Sequence, residues 1–166
     1  IGGGAAAQGS GYWRTQGNRI VDSAGNTVRI AGVNWSGFEG DNYVIHGLWP
    51  GVGRNWRDML RQIADLGFNT IRLPFSGEAL KPGRMPLAID YTVNPDLAGK
   101  TSLEVMDAFI AACGELNLRV ILDYHRIEAG SAPEAGLWYT SAHPESEWIS
   151  NWTMLVSRYA GDPTVV

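Results

Sequence analysis

Two short apolar segments of this chain end in polar side chains of the kinds that bind and activate substrates. Residues 118–126 read LRVILDYHR, so Asp123 and His125 stand at the end of a run of branched apolar residues. Residues 69–75 read NTIRLPF, in which Arg72 is the charged residue near the end. A buried strand with polar side chains at its C-terminal end is how an α/β barrel presents chemistry to a substrate. We therefore predict that Arg72 and His125 belong to the functional site.

A β-hairpin is predicted near the start of the chain. Two β-rich runs within residues 19–33 flank DSAGN at 22–26, which is a strong turn signal. The second run continues from Val28 to Trp35 as the first long strand. The Gly/Ala/Ser-rich residues 1–11 show no apolar period. We expect them to be a flexible leader or linker remnant that precedes a folded domain at residues 12–166.

Strand and helix patterns then alternate along the chain. Helices are predicted from Asn55 as N-cap to about Leu66, from a capping box at residues 101–104 onward, and from about Pro144. A strand precedes each helix, and residues 163–166 begin a fourth strand. This alternation predicts a parallel sheet with right-handed crossovers. A doubly wound sheet and an eight-stranded barrel both stay open, although the long loops after the strands suit the barrel.

Composition excludes several classes of function. The net charge of −4 and the lack of a Lys/Arg run argue against nucleic acid as a partner. No apolar stretch approaches the roughly 18 residues that span a bilayer, so we expect no membrane partner. The single cysteine, Cys113, excludes an internal disulfide and a multi-cysteine metal site. His46 and His143 lack a metal-ligand spacing, and we expect neither a metal nor a cofactor.

Five strings occur in the order VRIAGVNW, NYVIHGLW, GFNTIRLPFS, LRVILDYHR and LWYTS. Together they resemble the N-terminal part of glycoside hydrolase family 5 of clan A, in particular its bacterial secreted endo-β-1,4-glucanases (cellulases). The likeness runs from about Tyr12 to the last residue. It implies a (β/α)8 TIM barrel, of which this chain would be the N-terminal half with three βα units. It also implies an extracellular enzyme that cleaves internal bonds of β-glucans such as cellulose with retention.

The resemblance places both catalytic carboxylates beyond this chain. In the family, the acid/base glutamate lies in an Asn-Glu-Pro motif after the fourth strand, and the nucleophile glutamate follows the seventh. The sequence ends at Val166, before either, so we expect the isolated chain to be inactive. Retaining glycosidases need two carboxyl groups about 5 Å apart, and no pair among the 17 acidic residues suits that role. Asp123 shares the strand face of His125 but lies one layer deeper, where we expect it to pair with an interior polar group.

The resemblance also assigns roles to residues that are present. Arg72 would hydrogen-bond the nucleophile and keep it ionised, because a fixed cation lowers the pKa of a nearby carboxyl. His125 would contact a sugar hydroxyl at the cleavage point. Cellulose presents flat apolar sugar faces, which bind to aromatic platforms with hydrogen-bonding edges. The loop candidates for such binding are His46, Trp49, Trp35, Tyr43 and Trp138. Three further tryptophans fit helical stripes and are predicted to pack against the sheet: Trp56, Trp148 and Trp152.

Several alternatives stay open. The chain could be a non-catalytic glucan-binding module or half-barrel fragment, or a family relative that acts on mannan or xyloglucan. A half barrel leaves one flank of its sheet unpaired, so we expect either the missing C-terminal half as a partner or self-association of two halves. Gly40 stands where the resemblance implies one cysteine of a pair that braces the first and third loops. We therefore expect that brace to be absent.

Overall fold

The computed structural model of the chain describes residues 9–130 and 136–166, and the first part of the predicted leader lies outside them. Strands β1 (Arg14–Gln16) and β2 (Arg19–Val21) form an antiparallel pair. Strands β3 (Gly32–Asn34), β4 (Thr70–Ser76) and β5 (Arg119–Arg126) form a parallel sheet in the order β3-β4-β5. The α-helices in the described residues are α1 (Trp56–Asp65), α2 (Ser102–Glu115) and α3 (Glu145–Tyr159). The predicted alternation and the parallel sheet are confirmed.

The N-terminal hairpin forms between β1 and β2, which places its turn earlier in the chain than the predicted turn at 22–26. Gly17 and Asn18 join β1 to β2, and Gly17 has a φ of 61°. A two-residue turn with glycine and positive φ at its first position matches the twist of the paired strands. The predicted turn at 22–26 also forms, and in the described part of the chain a single antiparallel bridge, between Val21 and Thr27, closes it. The sequence signal for the true hairpin was the Gly-Asn pair.

The prediction of one long strand over residues 28–35 was wrong, since regular pairing begins only at β3. The side chain of Asn69 bonds to the backbone just before that strand. Its amide donates to the Arg29 carbonyl at 2.8 Å, and its oxygen accepts from the Ala31 N–H at 2.9 Å. These bonds satisfy backbone groups that a neighbouring strand would otherwise pair with. The segment therefore stays irregular although its residues favour a strand.

The last residues of the predicted leader contact the fold. The backbone N–H of Ser10 donates to the Asp22 carboxylate at 3.0 Å, and the N–H of Ser23 donates to the Ser10 carbonyl at 2.9 Å. The bond from Ser10 is the main cause that lowers the pKa of Asp22 from 3.8 to about 2. Burial opposes this shift, and hydrogen bonds from Asn26 add to it. Asp22 is thus an ionised carboxylate that fixes Ser10 next to the hairpin.

The predicted helix boundaries are confirmed by their caps. The Asn55 side chain accepts from the Arg57 N–H at 2.9 Å at the start of α1. Thr101 and Glu104 form the reciprocal capping box of α2. Pro144 precedes α3 as predicted, without a side-chain cap. A parallel bridge between Val120 and Val165 agrees with the predicted start of a fourth strand.

Strands β4 and β5 place alternate side chains on two faces. On β4, Ile71, Leu73 and Phe75 are fully buried in the hydrophobic core that the helices complete. Because the side-chain period of a strand is two, Arg72 lies on the opposite face. The same alternation on β5 separates Val120 from the face that carries His125. The core therefore positions the polar face of the sheet.

The surface of α3 beside β5 is apolar and open. Ile149 and Val156 are 52% and 67% exposed. A hollow of about 370 Å³ lies between the strand and the helix, lined by residues that include Tyr12, Leu122 and Val165.

Within the described residues, no helix is both long and apolar enough to cross a membrane.

Candidate functional site

Four polar side chains meet at the C-terminal ends of the parallel strands. We call Asn34, Arg72, Asp123 and His125 the strand-end cluster. Arg72 is the register partner of Asn34, and its Nη1 lies 3.3 Å from Asn34 Oδ1. Its Nη2 lies 2.6 Å from Asp123 Oδ2 and 3.4 Å from His125 Nδ1. The two residues predicted from separate strand ends are thus brought together on one face.

Asp123 pairs with interior polar groups as expected, and it pairs with both candidates at once. Its Oδ2 lies 2.9 Å from His125 Nδ1 as well as next to the Arg72 guanidinium. Sequence reasoning missed Asn34, although its position at the end of β3, one strand over from Arg72, was the available signal. Arg72 and His125 keep 39% and 41% of their side-chain surface exposed, so both remain accessible to a ligand.

A pocket of about 450 Å³ opens beside the cluster. We call it the third-loop pocket, because the loop after β5 forms one wall. Its lining comprises Tyr124, His125, Arg126, Ile127, Gly136, Leu137, Trp138 and Trp148. His125 belongs to both the cluster and the pocket. The predicted platform Trp138 is therefore placed where a sugar ring bound near His125 could reach it.

The aromatic wall of this pocket is larger than the sequence indicated. Trp138 is 48% exposed, and its ring lies 6.5 Å from that of Trp148. Trp148, predicted to pack against the sheet, lies 6.4 Å from the ring of Trp152 and also lines the pocket with Trp138. The Trp138 indole N–H donates to Glu145 Oε1 at 2.8 Å, which fixes one edge of the ring. Trp152 packs against Phe75 of β4 as predicted, whereas Trp56 is buried with its ring 6.3 Å from that of Phe109 on α2.

Hydrogen bonds anchor the described parts of the third loop at both ends. Glu78 Oε2 accepts from the Ala129 N–H at 3.0 Å. That bond is the main cause that lowers the pKa of the Glu78 carboxyl. Partial burial opposes the shift, and nearby cations add to it. At the other end, His143 lies 3.0 Å from Glu147 on α3 and 3.3 Å from Glu128. Residues 131–135 of this loop lie outside the described part.

The first loop brings a second pair of candidates together. The rings of His46 and Trp49 meet edge to face with their centroids 5.6 Å apart, and both side chains are exposed. This loop contacts the third loop, since the Gly130 N–H donates to the Glu39 carbonyl at 3.3 Å. The two loops rise from strands on either side of β4. His46 and Trp49 therefore belong to a loop that contacts the third loop.

Trp35 and Tyr43 have much of their binding surface occupied. The Trp35 ring packs edge-on against Phe109 of α2 at 5.4 Å, and its indole N–H donates to the His46 carbonyl at 3.0 Å. The Arg84 guanidinium lies 4.5 Å above the Tyr43 ring. Tyr43 lines a separate pocket with residues 81–85 and Leu87, away from the strand-end cluster. The structure thus does not bring these two candidates to the same site as His125.

The cluster can hold a neutral, hydroxyl-rich ligand, but its only carboxylate is already engaged. The Arg72 guanidinium and the exposed edge of His125 can bond hydroxyl groups, and tryptophan faces stand beside them. Asp123, facing a cation and an imidazole, is not free to act as one of two opposed carboxyl groups. Within the described residues, no group of His, Cys, Asp and Glu side chains is arranged to hold a metal ion.

Comparison with known proteins identifies the family. The model of the family described as cellulase (glycosyl hydrolase family 5) matches residues 21–166. This chain belongs to glycosyl hydrolase family 5. An endoglucanase of Paenibacillus polymyxa is 46% identical over 97% of this chain and 39% of its own length. The major extracellular endoglucanase of Xanthomonas campestris is 40% identical over 98% of the chain and 32% of its own length.

Solved structures of the family share the fold. An endocellulase from Pyrococcus horikoshii, determined as a variant in complex with cellotetraose, superposes with a TM-score of 0.84 at 43% identity. The match covers 95% of this chain and 42% of that one. The catalytic domain of the Xanthomonas enzyme gives the same TM-score at 41% identity. The family 5 chain described here is therefore part of a TIM barrel, and it spans about two fifths of these relatives.

Proposed function

We propose that this family 5 chain is the N-terminal part of a retaining endo-β-1,4-glucanase that acts on cellulose or related β-glucans. The observation that carries the proposal is the convergence of Arg72 and His125 at the ends of adjacent parallel strands, beside an aromatic pocket. Chemistry at the C-terminal ends of barrel strands is the general arrangement of this fold. The cellotetraose complex of the Pyrococcus endocellulase supports a glucan as ligand.

In this proposal the chain supplies substrate contacts and a supporting cation, while the reactive glutamates belong to the rest of the barrel. Arg72 would hold the nucleophile ionised, and His125 would bond a hydroxyl of the sugar at the cleavage point. Trp138 and Trp49 would bind sugar faces from opposite loops. The chain alone, folded as residues 12–166, would bind cello-oligosaccharides weakly and hydrolyse nothing.

A chimera tests the catalytic part of this proposal. The chain replaces the matched part of the Paenibacillus endoglucanase, and hydrolysis of carboxymethylcellulose is measured beside the isolated chain. We expect turnover from the chimera only, and a strong loss of kcat/KM for Arg72→Lys or His125→Ala. Arg61→Lys on α1, also an exposed arginine paired with an aspartate, is the matched control and should leave turnover unchanged. Turnover by the isolated chain that a substitution within it abolishes would refute the assignment.

The same chimera distinguishes the substrate. Higher kcat/KM on mannan or xyloglucan than on carboxymethylcellulose would replace the glucanase proposal with one of those activities. If the chimera folds but is inactive while the chain binds cellotetraose, the chain is a glucan-binding module instead. The Xanthomonas relative is an extracellular endoglucanase, which supports export, and we propose that the parent protein is secreted.

The apolar flank formed by α3 and β5 supports a protein partner. Exposed Val156 lines a hollow that no described element fills, and Ile149 on the same helix is also exposed. Exposed apolar patches of this kind mark interaction surfaces or association. We expect the complementary part of the barrel to cover this flank, and isolated chains to self-associate through it. Light scattering that reports a stable 18.1 kDa monomer would contradict self-association, whereas Val156→Glu should favour the monomer.

A further inference from the structure

Asp123 is placed to control the two side chains on which the proposed function depends. Its Oδ2 lies 2.6 Å from Arg72 Nη2 and 2.9 Å from His125 Nδ1. The carboxylate is 24% exposed, but the Oδ2 atom itself is buried and makes no well-aligned hydrogen bond to any described group. The contacts are therefore close electrostatic pairings. An anion that is poorly solvated depends strongly on such partners.

The short distance from Oδ2 to Nδ1 favours one position for the imidazole proton. A carboxylate oxygen accepts hydrogen bonds and does not donate them. An unprotonated Nδ1 at 2.9 Å would set its lone pair against those of the carboxylate. A proton on Nδ1 converts this repulsion into an attraction. In the neutral imidazole, the other nitrogen, Nε2, is then an acceptor.

Arg72 offers the competing arrangement. Its Nη2 lies 3.4 Å from His125 Nδ1 and could donate to that nitrogen if Nδ1 carried no proton. That contact is longer than the 2.6 Å between the same Nη2 and Asp123 Oδ2. A cation and an anion at the shorter distance attract more strongly than a cation and a neutral ring. The guanidinium therefore pairs with Asp123, and the carboxylate in turn favours a proton on the nearby Nδ1 by electrostatic attraction.

We propose that Asp123 is a positioning residue that fixes His125 as the Nδ1–H tautomer and holds Arg72 beside it. With that tautomer, Nε2 of His125 accepts a hydrogen bond and so selects a ligand that donates one, such as a sugar hydroxyl. The statement about the ligand rests on the proposed glucanase function. The statement about the tautomer rests only on the geometry of the strand-end cluster.

Nitrogen NMR of the ¹⁵N-labelled chain tests the tautomer directly. Long-range ¹H–¹⁵N spectra at about pH 8, where imidazoles are neutral, distinguish protonated from unprotonated ring nitrogens. We expect a protonated Nδ1 and an unprotonated Nε2 for His125, identified by its absence in His125→Gln. In Asp123→Asn, the amide can donate to Nδ1, so the protonated nitrogen should change to Nε2. A wild-type His125 protonated at Nε2, or an unchanged pattern in Asp123→Asn, would overturn the proposal.

His143 supplies a matched control in the same spectra. It contacts Glu147 through Nδ1 and Glu128 through Nε2, away from the cluster. Asp123→Asn should leave the His143 signals in place, whereas Glu147→Gln should shift them and leave those of His125 unchanged. Movement of all three histidines in Asp123→Asn would show a general change of fold. The wild-type tautomer would then decide the proposal alone.

Ligand binding separates this inference from the proposed function. Losing one hydrogen bond to a sugar hydroxyl should weaken cellotetraose binding by Asp123→Asn about fivefold. If the tautomer changes as expected but wild-type chain does not bind cellotetraose, the glucan assignment fails while the positioning role stands. If the wild type binds and Asp123→Asn binds equally well, Asp123 does not position His125 for the ligand.

Discussion

Removing the indole of Trp138 should weaken the binding of cello-oligosaccharides by about tenfold. The side chain is 48% exposed and lines the third-loop pocket. A tryptophan presents up to ~250 Å², so roughly 120 Å² is free and a stacked sugar would cover about half of it. At about 25 cal/mol per Å², the ~60 Å² that is covered contributes ~1.5 kcal/mol, or about tenfold in Kd.

The assay is an NMR titration of the labelled chain with cellotetraose. Trp138→Ala should show the tenfold rise in Kd, and Trp138→Phe a smaller one, because phenylalanine retains a flat ring but lacks the N–H. Tyr12→Ala is the control, since Tyr12 is also 50% exposed but lies in the hollow near Val165, close to the opposite end of β5. An unchanged Kd in Trp138→Ala would refute the assignment of this pocket as a sugar site. Equal losses in Trp138→Ala and Tyr12→Ala would show a nonspecific effect.

Three further predictions concern the elements that support the site. The Ser10 N–H is the main cause that lowers the pKa of Asp22 to about 2, so the ionised carboxylate stabilises the fold above about pH 4, and this stabilisation is lost between pH 4 and 2. The thermal unfolding midpoint of the wild type should therefore fall more steeply between pH 4 and 2 than the midpoint of Asp22→Asn. Glu78→Ala should speed amide hydrogen exchange at Ala129 by about tenfold, because the loss of a charge-assisted bond costs about 1.5 kcal/mol; unchanged exchange would show that the loop is held elsewhere. Thr101→Ala should lower the free energy of unfolding in urea by about 1 kcal/mol through loss of the α2 cap, and a change below ~0.3 kcal/mol would contradict that role.

The convergence of Arg72 and His125 was predictable, because it follows from local rules. A side-chain period of two places Arg72 on one face of β4, and parallel pairing places the ends of β4 and β5 at one edge of the sheet. The same rules place Asn34 beside Arg72. Helix ends were predictable for a similar reason, since a cap such as Asn55 acts within a few residues of its own position.

The positions of the aromatic candidates were harder to predict, because loops are fixed by contacts with residues distant in sequence. Nothing near Tyr43 indicates that Arg84 covers its ring, and nothing near Trp148 indicates that the third loop leaves its ring facing a pocket. The prediction of a long first strand was wrong for the same reason. The side chain of Asn69 bonds to backbone groups that would be paired in a longer strand. Tertiary contacts overrode local preference at each of these positions.

The two ends of β5 show how one strand separates stability from chemistry. At its start, Arg119 is 9% exposed, donates to the carbonyls of Gly9 and Pro163, and lies 5.6 Å from the Trp13 ring. Burial lowers the pKa of this guanidinium, and its bonds join both ends of the described chain to the sheet. At the other end of the strand, His125 keeps an exposed edge and its partner Asp123 is held by Arg72. Because one strand fixes the spacing between them, the network at the start of β5 supports the geometry of the strand-end cluster from the opposite end of the strand.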